Sequence, residues 1–234
     1  MLNPAASRST FEALLGPRRE PVTVTFRDAA PTDVPRVASP APAGCSYWKL
    51  AADGDAFYTV ADDHLNCPIG AYTHGVEMPA ATHEQLGGMI EKMVGIQYLK
   101  MEEVPGIPRR TSPLRFVLYA PLSKTDWTPD VVLLRGDARQ MMLIVEAAQA
   151  RTLLSPSSVM GRPACAVIAA TMESGKAATS LGCIGNRVYT GLASDEFYVA
   201  VPGKNLGEIA EALQTITSAN AELEQFHRGR MALA

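Results

Sequence analysis

Short β-branched segments alternate along the chain with signals for helix starts, and few architectures accommodate that order. Residues 21–26 have the alternating, β-branched pattern of a strand. Further strands are predicted at residues 48–50 and 57–60, joined by a turn at Asp53-Gly54, and at 115–120, 131–135, 188–192 and 197–201. Because strands and helices interleave, the sequence predicts an α+β (mixed α/β) fold.

Three of the predicted helices begin with a capping box, in which two side chains three residues apart satisfy the first backbone amides. These helices are predicted to reach about residues 99, 151 and 226, and their capping pairs are Thr82 with Gln85, Asp137 with Gln140, and Asn205 with Glu208. Shorter helices are predicted at residues 10–15 and after Pro163. The methionines of the first long helix, Met89 and Met93, are assigned to core packing.

Length and composition indicate one compact domain. The 234 residues are 47% apolar and 19% charged, with a net charge of −3 and no global basic field for nucleic acid. The first twenty residues lack a signal-peptide core, and the longest apolar run, 164–170, is far shorter than a membrane span. We expect a cytoplasmic protein with an N-terminal helix in residues 1–20, a core in 21–205, and a C-terminal helix in 206–234 packed on the core.

Two segments of the chain resemble each other. Residues 67–73 (Cys-Pro-Ile-Gly-Ala-Tyr-Thr) are similar to residues 183–190 (Cys-Ile-Gly-Asn-Arg-Val-Tyr-Thr), and Cys45 and Cys165 lie roughly twenty residues upstream of them. This similarity suggests two pseudo-symmetric halves. The nearby predicted strand lies before the first segment, at 57–60, but after the second, at 197–201, and this swapped order argues against a simple duplication.

The four cysteines are the leading candidates for chemistry. In the cytoplasm thiols normally stay reduced, and thiolates bind zinc or iron–sulfur clusters. Gly182 and Gly185 flank Cys183, where backbone N–H groups can approach a sulfur closely. However, no C-x-x-C pair occurs, so buried structural thiols, a redox pair and a nucleophilic thiol stay open as alternatives.

Other residue patterns give less support for a specific chemistry. His64 precedes Cys67 by three residues and is a candidate ligand, and Arg187 is a candidate for binding an anionic group. A structural role is an alternative for both residues. Phosphate-binding loops, dinucleotide-binding glycine motifs and the zinc-protease and serine-hydrolase motifs are absent from the sequence, so these activities have no support.

Several segments together match a known pattern. They are residues 21–26, Cys45-Ser-Tyr-Trp, His64-x-x-Cys-Pro-x-Gly-Ala, residues 129–133, Ser180-Leu-Gly-Cys-x-Gly-x-Arg, and residues 196–202. Over about residues 15–205 the chain resembles the uncharacterised family called domain of unknown function 169 (DUF169). The resemblance implies that all four cysteines occupy positions where the family tends to carry cysteine, but it implies no reaction. Ile69 departs from the family pattern, which leads us to expect a small residue there.

With this resemblance, the leading hypothesis is a 4Fe–4S-type redox or lyase-type protein. Its cluster ligands would be Cys45, Cys67, Cys165 and Cys183, and backbone N–H groups near Gly182 and Gly185 would tune the cluster. We expect an electron-transfer partner and a homodimer, and leave open whether the protein is an enzyme and what its substrate is.

Two further hypotheses remain. One is a non-catalytic module that binds a small ligand or a cofactor such as haem or a corrinoid, with Tyr47, Trp48 and His64 or His74 in its pocket. The other is an interaction protein that carries structural zinc or no metal.

Overall fold

The computed structural model describes residues 4–16 and 20–231, so parts of the predicted terminal segments, residues 1–3, 17–19 and 232–234, lie outside the described residues. The helices are α1 (Pro4–Leu15), α2 (Ser46–Ala52), α3 (Pro68–His74), α4 (Ala80–Gly95), α5 (Ala138–Ala150), α6 (Ala166–Ser174), α7 (Ile184–Thr190) and α8 (Leu206–Met231). The strands are β1 (Val22–Arg27), β2 (Phe57–Val60), β3 (Phe116–Pro121), β4 (Val131–Asp137), β5 (Leu154–Met160), β6 (Ala177–Ser180) and β7 (Glu196–Pro202). The α+β prediction is confirmed.

The strands form one mixed sheet in the order β2-β3-β1-β4-β7-β6-β5. Neighbouring strands are antiparallel except for β5 and β6, which run parallel. Side chains alternate between its two faces, so β4 directs Val131 and Leu133 into one core and Val132 and Leu134 into the other. The sheet therefore separates two hydrophobic cores.

Helices cover both faces of the sheet. On one face, α1, α5 and α8 bury a mainly aliphatic core against the strands, with Phe11, Ile144 and Leu213 almost completely buried. On the other face, α2, α3 and α6 pack over an aromatic core that includes Tyr47, Trp48 and Tyr119 among other residues. The second face carries all four cysteines.

The topology contains an approximate internal twofold that passes between β1 and β4. Outward from this central antiparallel pair, the first half of the sheet runs β1, β3, β2 and the second half runs β4, β7, β6. Along the chain, the first half has the order β1-α2-β2-α3-β3 with α4 inserted before β3, and the second half has β4-α6-β6-α7-β7 with α5 and β5 inserted after β4. The chain therefore consists of two pseudo-symmetric halves.

The swapped strand order does not argue against two related halves. The strands predicted at residues 57–60 and 197–201 exist as β2 and β7, but they are not counterparts. The strand that corresponds to β2 is β6, and each of them precedes the second cysteine segment of its half. Its residues, Ala-Ala-Thr-Ser, lack the large β-branched and aromatic side chains that mark a strand in a sequence. Strand β6 exists because β5 and β7 pair with its two edges.

Two other predicted strands are helices. Residues 48–50 belong to α2, and residues 188–190 belong to α7, which ends at Gly191 in the left-handed conformation. The helix predicted from Thr82 begins two residues earlier, with Pro79 at its N-cap position. The other two capping boxes mark helix starts correctly, because α5 begins directly after Asp137 and α8 begins directly after Asn205. No helix in the described ranges is long and apolar enough to cross a membrane.

Candidate functional site

Each of the four cysteines occupies the residue immediately before a helix. Cys45 precedes α2, Cys67 precedes α3, Cys165 precedes α6 and Cys183 precedes α7. The spacing to the left-handed glycine that ends the helix is also shared, since Gly75 and Gly191 each lie eight residues after their cysteine. The internal twofold therefore relates Cys45 to Cys165 and Cys67 to Cys183.

The four cysteines line one cavity of about 300 Å³ on the aromatic face of the sheet. This volume lies at the lower end of the range for small-molecule sites. Cys45 and Cys165 are buried, Cys67 and Cys183 are partly exposed, and all four are free thiols. Helix α2 contacts α7, and α3 contacts α6. Each of these contacts brings together one helix from each half and the cysteines that precede the two helices, so the site lies at the junction of the halves.

A close approach of two backbone segments shapes the cavity next to Cys67. A Cβ atom on Gly70 would lie 3.0 Å from Sγ of Cys67 and 3.7 Å from Cα of Gly44. Only a residue without a side chain fits this position without moving the sulfur. Ile69, where the family resemblance leads us to expect a small residue, lies in the cavity wall.

Burial holds the two buried cysteines, Cys45 and Cys165, which form the inner pair of thiols, in their protonated form. It raises the pKa of Cys45 to about 12, and the negative charges that Cys67 and Cys183 can carry raise it further. Burial also raises the pKa of Cys165, with an added contribution from Cys67. The thiols are therefore close enough to interact electrostatically, and the inner pair loses its protons only to a strong competitor such as a metal.

Polar side chains from the opposite half counteract this effect at the two inner thiols. The amide of Asn186, on α7, lies beside Cys45 and lowers its pKa, while the hydroxyl of Thr73, on α3, does the same for Cys165. Asn186 is 1% exposed, and neither of its amide atoms reaches hydrogen-bond geometry with another group in the described part of the chain. Its amide is therefore available to a sulfur that becomes negatively charged.

Asn186 is a site residue that the sequence did not predict. The segment Gly185-Asn-Arg contains no motif that distinguishes a buried amide from an exposed one. The fold places Asn186 one turn into α7, and this turn packs against α2 and Cys45.

Of the other predicted site residues near Cys183, one lines the cavity and two do not. Gly185 lines the cavity, whereas Gly182 forms the turn before Cys183 with a φ of +77°. The Arg187 guanidinium donates to the carbonyl oxygen of Leu181, before α7, and to those of Ala193 and Glu196, after it. Neither Gly182 nor Arg187 is among the cavity-lining residues.

The buried histidines lie beneath the cavity and do not line it. His64 is 1% exposed, its Nε2 is 2.9 Å from Oγ1 of Thr59, and its ring stacks on His74 with 5.4 Å between centroids. Burial lowers the pKa of both histidines, to about 4 for His74. Tyr47 stacks on Tyr119 in the same aromatic core, so these rings form a packed layer under the site.

The opposite wall of the cavity comes from α4 and the segment after it. Leu86, Met89, Ile90 and Met93 line the cavity from α4. The prediction of one apolar face on this helix is confirmed, but its assignment to core packing is wrong. Only Thr82 of α4 is buried, so the apolar face borders a cavity.

The side-chain positions test whether one metal ion could be held. Within residues 4–16 and 20–231, no group of three or more His, Cys, Asp or Glu side chains lies close enough together to share a single ion. The prediction of a metal site therefore has no direct support from a preformed cluster of ligands. A 4Fe–4S cluster has less stringent spacing, because each cysteine binds a different iron atom.

Comparison with known proteins identifies the family. The family model described as "Uncharacterised ArCR" (DUF169) matches residues 10–212. A protein of Methanocaldococcus jannaschii, named "Uncharacterized protein MJ0308", is 30% identical over 169 residues, which cover 67% of this chain and 69% of the relative. No solved structure matches. The chain belongs to the DUF169 family.

Proposed function

We propose that Cys45, Cys67, Cys165 and Cys183 bind a 4Fe–4S cluster and that the protein is a redox protein. The observation that carries the proposal is the convergence of all four cysteines on one cavity. They come from four separate segments of the chain and from both halves of the fold, so proximity in sequence does not account for their meeting.

The chemistry of the cavity fits such a cluster. Four thiolates are the usual ligand set, and the remaining lining is mainly apolar, which limits access of water to the cluster. The amide of Asn186, which has no hydrogen-bond partner in the described part of the chain, supplies an N–H donor next to Cys45. The hydroxyl of Thr73, which donates to the carbonyl oxygen of Gly70, places a polar group next to Cys165. Donors to ligand sulfur atoms are a common way in which a protein tunes the potential of a cluster.

Binding a cluster requires the inner thiols to lose their protons. Because burial raises the pKa of Cys45 and Cys165, these two thiols are neutral in the metal-free protein and compatible with their apolar surroundings. When bound, the cluster supplies one-electron redox chemistry or, if a cysteine leaves one iron open, a Lewis acid for a lyase-type reaction. Four available cysteines favour the redox role.

We also propose a cytoplasmic homodimer that exchanges electrons with a partner protein. The cysteines are free thiols, which fits a reducing compartment. Helix α7 exposes apolar side chains next to the cavity mouth, with Ile184 69% and Val188 71% exposed. Such a patch is typical of a protein interface. Light scattering of wild-type protein and of Val188→Asp tests the dimer, since the variant should be monomeric if this face is the interface.

The first experiment is anaerobic purification followed by iron and acid-labile sulfide analysis and an absorption spectrum. About four iron and four sulfide atoms per chain, with broad absorbance near ~400 nm, are expected. Haem or a corrinoid would give colour without sulfide, and structural zinc would give colourless protein with zinc. Colourless, metal-free protein after anaerobic reconstitution with iron and sulfide would refute the proposal.

Single Cys→Ser variants then assign the ligands. Cys183→Ser and Cys67→Ser, at the partly exposed positions, should reduce iron and sulfide content while the far-UV circular dichroism spectrum is unchanged. Ser46→Ala is a suitable control, since Ser46 directly follows Cys45 but its hydroxyl is not part of the ligand set. Full iron content in all four cysteine variants would contradict the ligand assignment.

A further inference from the structure

We infer that the α4 side of the cavity is a binding site for a neutral, predominantly apolar small molecule. This inference goes beyond the proposed function, because binding of such a molecule requires no cluster. The site lies between the cysteines on one side and the apolar face of α4, with residues 98–107, on the other.

The apolar face of α4 borders the cavity instead of a packed core. Leu86, Ile90 and Met93 line the cavity and are only partly exposed, whereas Glu84, Glu91 and Lys92 on the opposite side of the helix are exposed to solvent. An apolar ligand would remove their remaining surface from water, which is the main source of affinity in sites of this type. Methionine side chains adapt to ligands of different shape, and α4 provides two of them to the cavity, Met89 and Met93.

The cavity has an entrance between α4 and α7. Met89, Tyr98, Ile184 and Tyr189 line the cavity and are also 37–69% exposed. Side chains that contact both the cavity and solvent mark its mouth. A small molecule can therefore reach the cysteines without passing through the sheet or either packed core.

The charge at this entrance indicates a neutral ligand. Among the described residues that line the cavity, Arg162 is the only Arg, Lys, Asp or Glu. Its guanidinium is already engaged, since it lies 2.8 Å from Oε2 of Glu103 and 5.0 Å from the centre of the Tyr98 ring. An anionic ligand would have to compete with Glu103 for Arg162, and a cationic ligand would find no carboxylate among the described residues that line the cavity.

Comparison of the two halves shows that the cavity wall formed by α4 and the segment after it is present in the first half only. Residues 75–115 connect α3 to β3 and contain α4, whereas the equivalent connection from α7 to β7 is only residues 191–195. Folding of the sheet does not require the longer connection, because the second half forms the equivalent strand pair without it. The additional segment instead encloses the cavity on one side.

A fluorescence titration of metal-free protein with the neutral probe N-phenyl-1-naphthylamine tests the site. We expect saturable, blue-shifted fluorescence with one probe bound per chain. Met93→Trp, which fills the cavity from α4, should weaken binding by about tenfold or more. Met142→Trp is the matched control, because Met142 is a 39% exposed residue of α5 outside the cavity, and it should bind the probe like wild type. Equal binding by both variants, or none by wild type, would overturn the inference.

A second comparison tests the charge of the ligand. Wild type should bind the neutral probe about tenfold more tightly than the anionic probe 8-anilinonaphthalene-1-sulfonate. Glu103→Gln releases Arg162 from its ion pair, so it should strengthen binding of the anionic probe and leave the neutral probe unchanged. Tighter binding of the anionic probe by wild type would overturn the neutral class.

The two proposals fail in different ways. Protein that binds the neutral probe but never takes up iron and sulfide supports the cavity site and refutes the cluster. Protein that contains iron and sulfide but binds no probe, either with the cluster or after its removal, refutes the cavity site alone.

Discussion

A Cβ atom at Gly70 would stand 3.0 Å from the sulfur of Cys67, so the two residues cannot both keep their positions if residue 70 gains a side chain. Gly70 lies within α3, three residues after the cysteine, and its backbone also approaches Gly44. The sulfur position thus depends on the absence of one methyl group.

We therefore expect Gly70→Ala to displace the Cys67 sulfur and to lower iron and sulfide content without unfolding the protein. The loss of stability should stay within about 1–3 kcal/mol, the usual range for one added methyl group in a packed region. Gly87→Ala is the control, because Gly87 lies in α4 with open space around it. That variant should keep its iron and gain up to about 1 kcal/mol of helix stability. Unchanged iron content in Gly70→Ala would contradict the proposed role of Cys67.

Replacing Asn186 with leucine should change the stability of the metal-free protein and the reduction potential of the cluster-bound protein. The metal-free protein should be stabilised by about 1–2 kcal/mol, because a buried amide without partners is removed next to a cavity that has space for leucine. The cluster should have a more negative reduction potential, since an N–H donor near Cys45 is lost. Urea unfolding and redox titration measure the two effects.

Asn220→Leu provides the comparison for that variant. The Asn220 amide donates to Glu146 and to the carbonyl oxygen of Ile216, so its removal should destabilise the protein. If Asn186→Leu destabilises the metal-free protein as much as Asn220→Leu does, the amide of Asn186 has a structural partner and its proposed role at the sulfur is wrong.

The metal-free protein should lose stability as the pH falls below about 6.5. Burial lowers the pKa of His64 and of His74, to about 4 for the latter, whereas an unfolded histidine has a pKa of about 6.5. Between these values the unfolded chain binds more protons than the folded one, so stability decreases with decreasing pH. His74 should contribute about 2 kcal/mol of this loss between pH 7 and pH 5, and His64 should add to the loss in the same direction.

Urea unfolding at pH 5 and pH 7 measures this dependence. His74→Gln should reduce the difference in stability between the two pH values, whatever its effect on absolute stability. His83→Gln should leave the difference unchanged, because His83 is exposed on α4. An equal pH dependence in wild type and His74→Gln would show that other groups cause it.

Glu196→Gln should destabilise the protein by about 2 kcal/mol, because it removes the charge that balances Arg135. Glu196 is 7% exposed and its Oε2 lies 2.5 Å from Nη2 of Arg135, which also donates to the carbonyl oxygen of Gly191 at the end of α7. Glu211→Gln is the control, since its ion pair with Arg151 is exposed, and it should change stability by less than about 0.5 kcal/mol. Similar results for both variants in urea unfolding would contradict this difference.

Local sequence signals predicted the elements that local interactions stabilise. The capping box before α5 is an example: the backbone N–H of Gln140 donates to Oδ1 of Asp137, and that of Asp137 donates to Oε1 of Gln140. Strands with β-branched residues, such as β1, were also predicted. These signals sufficed for the α+β class.

Elements that depend on distant neighbours were predicted poorly or missed. Strand β6 has small residues and forms because two other strands flank it, and residues 188–190 are helical although their pattern resembles a strand. The wall formed by α4 could not be predicted either, since an apolar helix face has the same pattern whether it borders a core or a cavity. Likewise, the place of Asn186 follows from the packing of α7 against α2.

The twofold arrangement also makes the site sensitive to movement between the halves. Each half contributes one buried and one partly exposed cysteine, so neither half contains all four cysteines of the proposed ligand set. The central strands β1 and β4 pair only along residues 22–24 and 131–133, a shorter ladder than either strand forms with its other neighbour. A small rotation about the short β1–β4 ladder would change the distances between sulfurs from different halves and leave the packing within each half intact. The redox state of a cluster held there would thus be mechanically coupled to the relative orientation of the two halves.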